Sequence, residues 1–498
     1  MKNIVFSVAF LLILHASLRA QQWEIDYGDT QSFTQFSHGI TDLEGNAILV
    51  GGCASVYPNY HPIAMRIEPN GAHLECDYQN GFEGVMLTDV VQLPNGNYFT
   101  AGIASKEAVV VMVLDANLDI VNSKRYEKAE TALSIHGGRL LLDDDGTVVM
   151  AGEARFPAVN LNFYTRPFMY RFDENADTLS CRYVTVEKPA PEYYIDQFEC
   201  HQILKNPQND GFILMGTGRS GLPSLICYDY DFNYISNIWM HNDFSLLSAQ
   251  YSSCCWLSDD DLLVFGTLKP KNHQSRTIGL LDVKLSGGVP RLDTIHGDFS
   301  PYNIASGLYD NSAFANDTTI YGSYYSTENM YSGPFHISVC LFDKDMEVLG
   351  NYVFVDEEHI NYVPCFILPH VDGGCVIVSI YSDGSINYYT PGKIIKMSRE
   401  DFNPILCSVS EVPKERLKAM AFPNPTKGEL NIDISGLPEN KEHRIQITDV
   451  LGRICMDRII RGEGNVLTVG VSSLKPGIYV YTIYNTEKEV LKNKFIKE

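Results

Sequence analysis

At 498 residues the chain is too long for one ordinary core, so it holds two or more domains or a repeat that absorbs the length in one body. Hydrophobic residues make up 45% and charged residues 20%, with 38 Gly and 23 Pro, a well-buried and turn-rich composition that argues against extended disorder. The net charge of −23 is uneven: Lys414 to Glu498 carries 14 Lys and Arg against 11 Asp and Glu, leaving 24 against 50, or −26, for the body. Such a body repels phosphate backbones, which argues against nucleic acid as a ligand.

Residues 1–20 have the parts of a secretory signal: Lys2, an apolar run from Ile4 to Leu14, and Ala20 as a cleavage position. That run is too short to span a bilayer, and no later stretch approaches eighteen apolar residues, so the mature chain is expected not to be membrane-spanning. Twelve cysteines are spread from Cys53 to Cys455 with no Cys-x-x-Cys pair, which argues against a zinc knuckle or a thioredoxin-like site. Cys76, Cys181, Cys227, Cys340 and Cys407 fall in strand-like runs and are predicted to pack as small buried hydrophobes.

From residue 21 to 407 a turn followed by a short apolar strand ending at or near Gly recurs seven times. The copies are EGNAILVGG, NGNYFTAG, DGTVVMAG, DGFILMG, DDLLVFG, NDTTIYG and DGGCVIVS. Their turn positions, Gly45, Gly96, Gly146, Gly211, Asp260, Asp317 and Gly373, are 51, 50, 65, 49, 57 and 56 residues apart. A second apolar strand follows each copy and runs into a turn, where Asp115, Asp173, Asp229, Asp282 and Asp343 are expected to cap by accepting a backbone N–H two residues on. A period near fifty with about four short strands is what a propeller blade requires, since one such sheet cannot bury both faces alone. The predicted fold is therefore all-β, a seven-bladed β-propeller, with the Gly-ended strand near the channel and Trp23–Tyr27 completing the last blade. The pattern resembles the kelch-like or delta-60-like propellers of secreted bacterial proteins.

Residues 408–421, with Pro413, read as a linker, and 422–498 as a small immunoglobulin-like β-sandwich of strands at Leu430–Ile434, Arg444–Asp449, Val466–Val471 and Tyr479–Tyr484. Four blocks occur in order: Phe422-Pro423-Asn424-Pro425 with Gly428; Asp449-Val450-Leu451-Gly452-Arg453; Leu474-Lys475-Pro476-Gly477-Ile478-Tyr479; and Lys494-Phe495-Ile496-Lys497. Together they resemble the type A sorting domain of the type IX secretion system of Bacteroidetes. The resemblance implies export through the periplasm, recognition by the type IX translocon and sorting machinery, and release outside the cell or attachment to the outer-membrane surface.

No Gly-x-Ser-x-Gly elbow, His-Glu-x-x-His, P-loop or nucleotide-binding glycine fingerprint occurs, so no catalytic, metal or cofactor residues are assigned from sequence. Asp143-Asp144-Asp145 and Asp259-Asp260-Asp261 offer carboxylates to calcium but fall at the same turn of the repeat, which favours a solvated hairpin. Asp356, Glu357, Glu358 and His359 are the densest titratable cluster and the candidate ligand-binding residues. Aromatic clusters at Tyr193-Tyr194, Tyr324-Tyr325 and Tyr388-Tyr389 could stack on a sugar or meet a protein. The expected function is a surface or released propeller that binds a glycan or a protein without catalysis. Its alternatives are a hydrolase or lyase acting on polysaccharide or peptide, and a structural envelope component.

Overall fold

The computed structural model describes residues 23–402 and 421–497, apart from 29–31, 56–58, 158–163, 184–197, 208–210, 219–222, 240–245, 271–276, 286–290, 295–302, 307–311, 317–318, 328–335, 344–347, 355–361, 382–390, 423–425, 434–441, 450–453, 462–465 and 486–487. The chain divides into two compact units, Met1–Ser410 and Glu411–Glu498. Among the described residues the only helical element is a single 3-10 turn at Arg399–Asp401, and no helix is long and apolar enough to cross a membrane.

The first unit is a succession of antiparallel meanders, seven sheets among the described residues, each mostly of four strands in chain order. All seven recurring sequence blocks form the second strand of a sheet, from Ala47–Ala54 to Cys375–Tyr381. Alternation explains why these strands read as unbroken apolar runs. Successive side chains of a strand point to opposite faces, and here both faces are covered: Val148 and Met150 join the cluster shared with the preceding sheet, Val149 and Ala151 the cluster shared with the following one.

Every junction between successive sheets is such a cluster. Ile48 packs with Leu87 across the first junction, Phe99 with Phe172 across the second, and Val149 with Phe212 across the third. Ile213 with Val264, Phe265 with Phe342, and Tyr321 with Ile377 continue the series. Phe366 and Val378 of the last sheet then pack with Phe36 and Leu49 of the first, which closes the succession into a ring. The fold is propeller-like.

The N-terminal strand Trp23–Tyr27 completes that closure. It pairs antiparallel along Gly392–Met397 as the outer strand of the last sheet. Ile25 and Tyr27 are buried there, and the Tyr27 hydroxyl donates to the Ser379 carbonyl at 2.9 Å.

The Gly-ended strand, expected near the channel, is second from the axis. The first strands, such as Phe33–Thr41, Val85–Gln92 and Ser134–Leu142, touch one another around the ring and are innermost; the Gly-ended strands come second. Crowding by a neighbouring sheet, the expected reason for the glycine, holds at Gly322, where a Cβ would lie 2.5 Å from the Phe265 ring, but a second reason acts elsewhere. Each first strand described as one segment carries a bulge, at Phe36/His38, Leu87/Asp89, His136/Arg139, Cys200/Gln202, Tyr251/Ser253 and Pro364/Phe366. In the sixth sheet two separate segments, Asn303–Ser306 and Ser312–Asn316, pair the second strand instead. A bulge pushes backbone toward its neighbour. A Cβ on Gly102 would lie 2.4 Å from the Met86 carbonyl oxygen and 2.9 Å from Leu87 Cα, so the small residue is required by the bulge opposite it.

Among its described residues the second unit has two sheets, one of three strands and one of four. Leu430, Ile432, Ile445, Ile447, Tyr481 and Phe495 form its core. The strand Ile454–Arg461, absent from the sequence reading, lies at an edge of the larger sheet with Ile459 exposed.

Candidate functional site on the axial strands

At three of the bulges the residue just after reaches sideways to an adjacent sheet. His38 Nδ1 lies 2.5 Å from Asp89 Oδ1, and Asp89 Oδ2 in turn accepts the Leu140 amide at 2.8 Å. Gln202 Oε1 accepts the Cys254 amide at 2.7 Å. These bonds satisfy backbone groups that a bulge removes from the ladder, and a buried amide left unpaired is costly. Burial opposes the charge on Asp89, but His38, Arg139 and the Leu140 amide hold its carboxyl below the usual range.

The third sheet departs from this pattern. Its bulge holds two glycines, Gly137 and Gly138, and the residue after them is Arg139 rather than an acceptor. The acceptor comes instead from the second strand: Glu153 Oε2 takes the Cys200 amide at 3.0 Å. Glu153 is only 7% exposed. Burial pushes its carboxyl up to about 7; Glu199 acts in the same direction, while the Cys200 amide, Arg155 and Arg139 act against it.

One imidazole, His136, stands opposite it, and a second, His201, follows Cys200 in the chain. His136, register partner of Glu153, is pushed down to about 4 by burial together with Arg155 and Lys106, and its Nε2 lies 2.9 Å from Ser134 Oγ. His201 is pushed down to about 4 by burial and Arg139. At neutral pH this part of the axis therefore holds a largely buried carboxyl that exchanges its proton near pH 7, two neutral imidazoles, and arginines.

The acidic runs are not solvated hairpins throughout. The Asp143 side chain is 1% exposed, held by Arg171 at 2.9 Å and by Lys205 at 2.5 Å. Arg171 also sits 4.0 Å above the ring of Tyr230, whose hydroxyl donates to Asp145 at 2.8 Å, so this turn ties the third sheet to the fourth. Among the described residues no group of three or more His, Cys, Asp or Glu is placed to hold a metal ion.

Asp115 and Asp173 cap as expected, whereas Asp282 lies inside the strand Thr277–Lys284, paired with Leu263 and Arg291, and is no turn residue. Asp115 Oδ1 accepts the amides of Asn117 and Asp119 at 2.8 and 3.0 Å, and Asp173 does the same for Asn175 and Asp177 at 2.9 and 2.8 Å. The hydroxyls of Tyr78 and Tyr126, each from the preceding sheet, donate to the Leu118 and Ala176 carbonyls of these turns at 2.7 and 2.5 Å.

Asp356, Glu357, Glu358 and His359 lie outside the described residues, as do Tyr193-Tyr194, Tyr388-Tyr389 and Cys407. Tyr324 is 4% exposed and packs in the core, so it is no loop aromatic. Cys227 and Cys340 are buried, but Cys181 is exposed on the outer strand of its sheet, which corrects the expectation that it packs inside. The adjacent Cys254 and Cys255 point into different clusters, as strand alternation requires.

Of the sorting-motif residues, Pro423, Asn424, Pro425, Gly452 and Arg453 also lie outside the described residues. The remainder converge. Gly477 pairs Lys497 across the ladder, Lys494 pairs Val480, and Thr426 bridges Lys497. Gly428 accepts the Val471 amide at 2.8 Å through its carbonyl. Tyr479 stacks on Phe495 at 5.6 Å, and its hydroxyl donates to the Lys475 carbonyl at 3.0 Å. Among the described residues the fold thus brings parts of the first and third blocks beside the final strand, which carries the fourth.

Residues 420–498 match the family described as the secretion system C-terminal sorting domain. This type IX sorting domain implies interaction with the secretion machinery and export to the cell surface or extracellular space. No curated protein matches the sequence. Among solved structures, an ulvan lyase of a new polysaccharide lyase family is 10% identical over 75% of this chain and 95% of its own, with a TM-score of 0.48. The polysaccharide lyase Uly1 is 8% identical over 75% and 91%, at 0.43. A protein of unknown function from Bacteroides caccae is 13% identical over 62% and 94%, at 0.38. These are distant likenesses of shape, and what the lyases act on is said of them alone.

Proposed function

We propose that the chain is a seven-bladed β-propeller carried out of the cell by its sorting domain, and that the propeller acts there as a binding protein for a glycan or a protein. The observation that carries the binding reading is the engagement of the axial polar groups. Asp89 and Gln202 each accept an amide of the next sheet, Glu153 does so through one oxygen, and Asp143 is consumed by Arg171 and Lys205. Carboxylates committed to joining sheets are poorly placed to turn over a substrate. The acidic body adds that the ligand is not a polyanion such as nucleic acid. Screening the secreted protein against a glycan array and by pull-down tests this; capture of a ligand without chemical change supports it, and depolymerisation of a bound polysaccharide sinks it.

A hydrolase or lyase is the second reading, and one observation favours it: a carboxyl pushed up to about 7 opposite a neutral imidazole is what acid–base chemistry uses. Under that reading Glu153→Gln abolishes turnover. Under the binding reading no turnover exists to abolish.

A further inference from the structure

We propose that the turn tips Val371, Leu43 and Pro94, neighbours at one end of the ring, form a docking surface for a basic segment of a partner protein. Aliphatic side chains of the partner would sit on the tips, with its lysines or arginines beside Glu44 and Glu68. The proposal rests on the binding reading and narrows it to a protein at a named place. A ligand captured elsewhere on the ring would leave that reading standing while this surface fails.

The first observation is position. Antiparallel strands in chain order put the turn after the first strand and the turn after the third at the same end of each sheet. Contacts between sheets then line up the first of these turns around the axis. The Thr41 hydroxyl of the first sheet donates to the Pro369 carbonyl of the last. Val371 rests on the turn of the first sheet, where a Cβ on Gly45 would lie 2.3 Å from Val371 Cγ1. Leu43, in the same turn as Gly45, donates its amide to Gln92 Oε1 at 2.8 Å, two residues before Pro94 in the second sheet. Val371, Leu43 and Pro94 are each the second residue of their turn.

The second is exposure on a rigid support. Leu43 is 89% exposed and Val371 60%, and Pro94 is exposed as well. One exposed aliphatic residue needs no explanation; three at the same turn position of successive sheets do. Asp42 locks the first turn, its carboxylate accepting the Glu44 and Asn46 amides at 2.9 and 2.8 Å, the Asn46 side-chain amide at 3.0 Å and the Tyr98 hydroxyl at 2.7 Å. Asp372 holds the last turn, accepting the Gly374 amide at 2.9 Å and pairing with His370 and Lys396. Apolar groups fixed in place beforehand lose little conformational freedom on binding.

The third is charge, which selects the occupant. Glu44 is exposed beside Leu43, and Glu68 and Asp119 stand at the outer turns of the same end. Of the nearby cations, Arg66 pairs with Glu68 at 3.8 Å, Lys396 is buried against Asp372, and Arg399 is exposed on the corner that ends the last sheet. A second copy of the chain would set this acidic end against itself, and a polyanion would be repelled. A glycan fits poorly, because the three tips offer no aromatic ring for a sugar to stack on. An aliphatic side chain flanked by Lys or Arg matches both the tips and the carboxylates.

The test is fluorescence anisotropy of labelled peptides titrated with the full secreted protein, the probes being alternating Lys-Leu, alternating Glu-Leu and alternating Lys-Ser. Lys-Leu should bind, Glu-Leu should not, and Lys-Ser should bind at least roughly tenfold more weakly than Lys-Leu. Affinity for Lys-Leu should fall as salt rises, since exposed charges are screened. Leu43→Ser combined with Val371→Ser should weaken Lys-Leu by at least roughly tenfold at an unchanged melting temperature. Should the double variant fail to fold, Leu43→Ser alone should weaken it in the same direction. Ile235→Ser, an exposed apolar residue on an outer strand, should change nothing. Glu-Leu binding as tightly as Lys-Leu, no binding of Lys-Leu, affinity unchanged in the Leu43 variants, or an equal loss in Ile235→Ser would overturn the surface. Self-association of the wild type that the double variant abolishes would overturn it too, by making the occupant a second copy.

Discussion

Glu153, His136 and His201 give the ring a signed response to pH. The Glu153 carboxyl is raised from 4.5 to about 7, so the folded protein holds a proton there that the unfolded chain has lost. Its contribution is fully present below about pH 4.5 and declines as pH rises through about 7, at roughly 1.4 kcal/mol per unit. His136 and His201 are lowered from 6.5 to about 4, so each favours the fold above pH 6.5 and loses that contribution as pH falls toward 4. Glu153→Gln should therefore be more stable than wild type at pH 8 by up to about 3 kcal/mol and no more stable at pH 4. Urea unfolding at the two pH values measures this, and an equal difference at both would contradict it. At Asp143 the buried pairs with Arg171 and Lys205 predict the opposite kind of change. Asp143→Ala removes the shortest partner of the buried Arg171 and the half-buried Lys205 and should cost about 3 kcal/mol in the same assay; a loss below about 1 kcal/mol would show that the cluster contributes little.

At the scale of the strand, the first strand of each sheet was the part the sequence concealed. The second strands were legible because burial on both faces makes them uninterrupted apolar runs, as in AILV and VVMA. The first strands are split by the bulge, which breaks their period of two, and they carry polar residues such as Gln35, Asp89 and Gln202 that serve inter-sheet bonds rather than the core. The site was illegible for the same reason: Arg139 and Glu153 are fourteen positions apart in a stretch with no motif, and only the two glycines gave a signal. The small residue opposite each bulge, glycine in every sheet but the last, where it is Ser379, is a testable necessity. Gly102→Ala should cost about 1–3 kcal/mol by overpacking against Met86 and Leu87, whereas Gly470→Ala, with nothing within 4 Å, should cost little by that route. Thermal unfolding distinguishes the two. Deleting residues 21–30 removes the strand that closes the ring and should lower the melting temperature by many degrees; an unchanged curve would rule out closure by that strand.

For the whole molecule, the division of charge and the division of structure coincide. An acidic ring occupies the unit ending at Ser410, and the near-neutral remainder is the sorting sandwich. The second unit was the most legible part, because short blocks in a fixed order carry the resemblance, and the family match covers the same residues. The ring's ligand was the least legible, since a propeller-like fold hosts many functions. The sorting domain occupies the last eighty or so residues, and the proposed binding activity belongs to the ring. The most direct test is fractionation of cells producing either the full chain or a chain ending at residue 421. The full chain should appear outside the cell or on its surface, and the truncated chain should stay in the periplasm with its ring folded; a truncated chain reaching the surface normally would contradict the account.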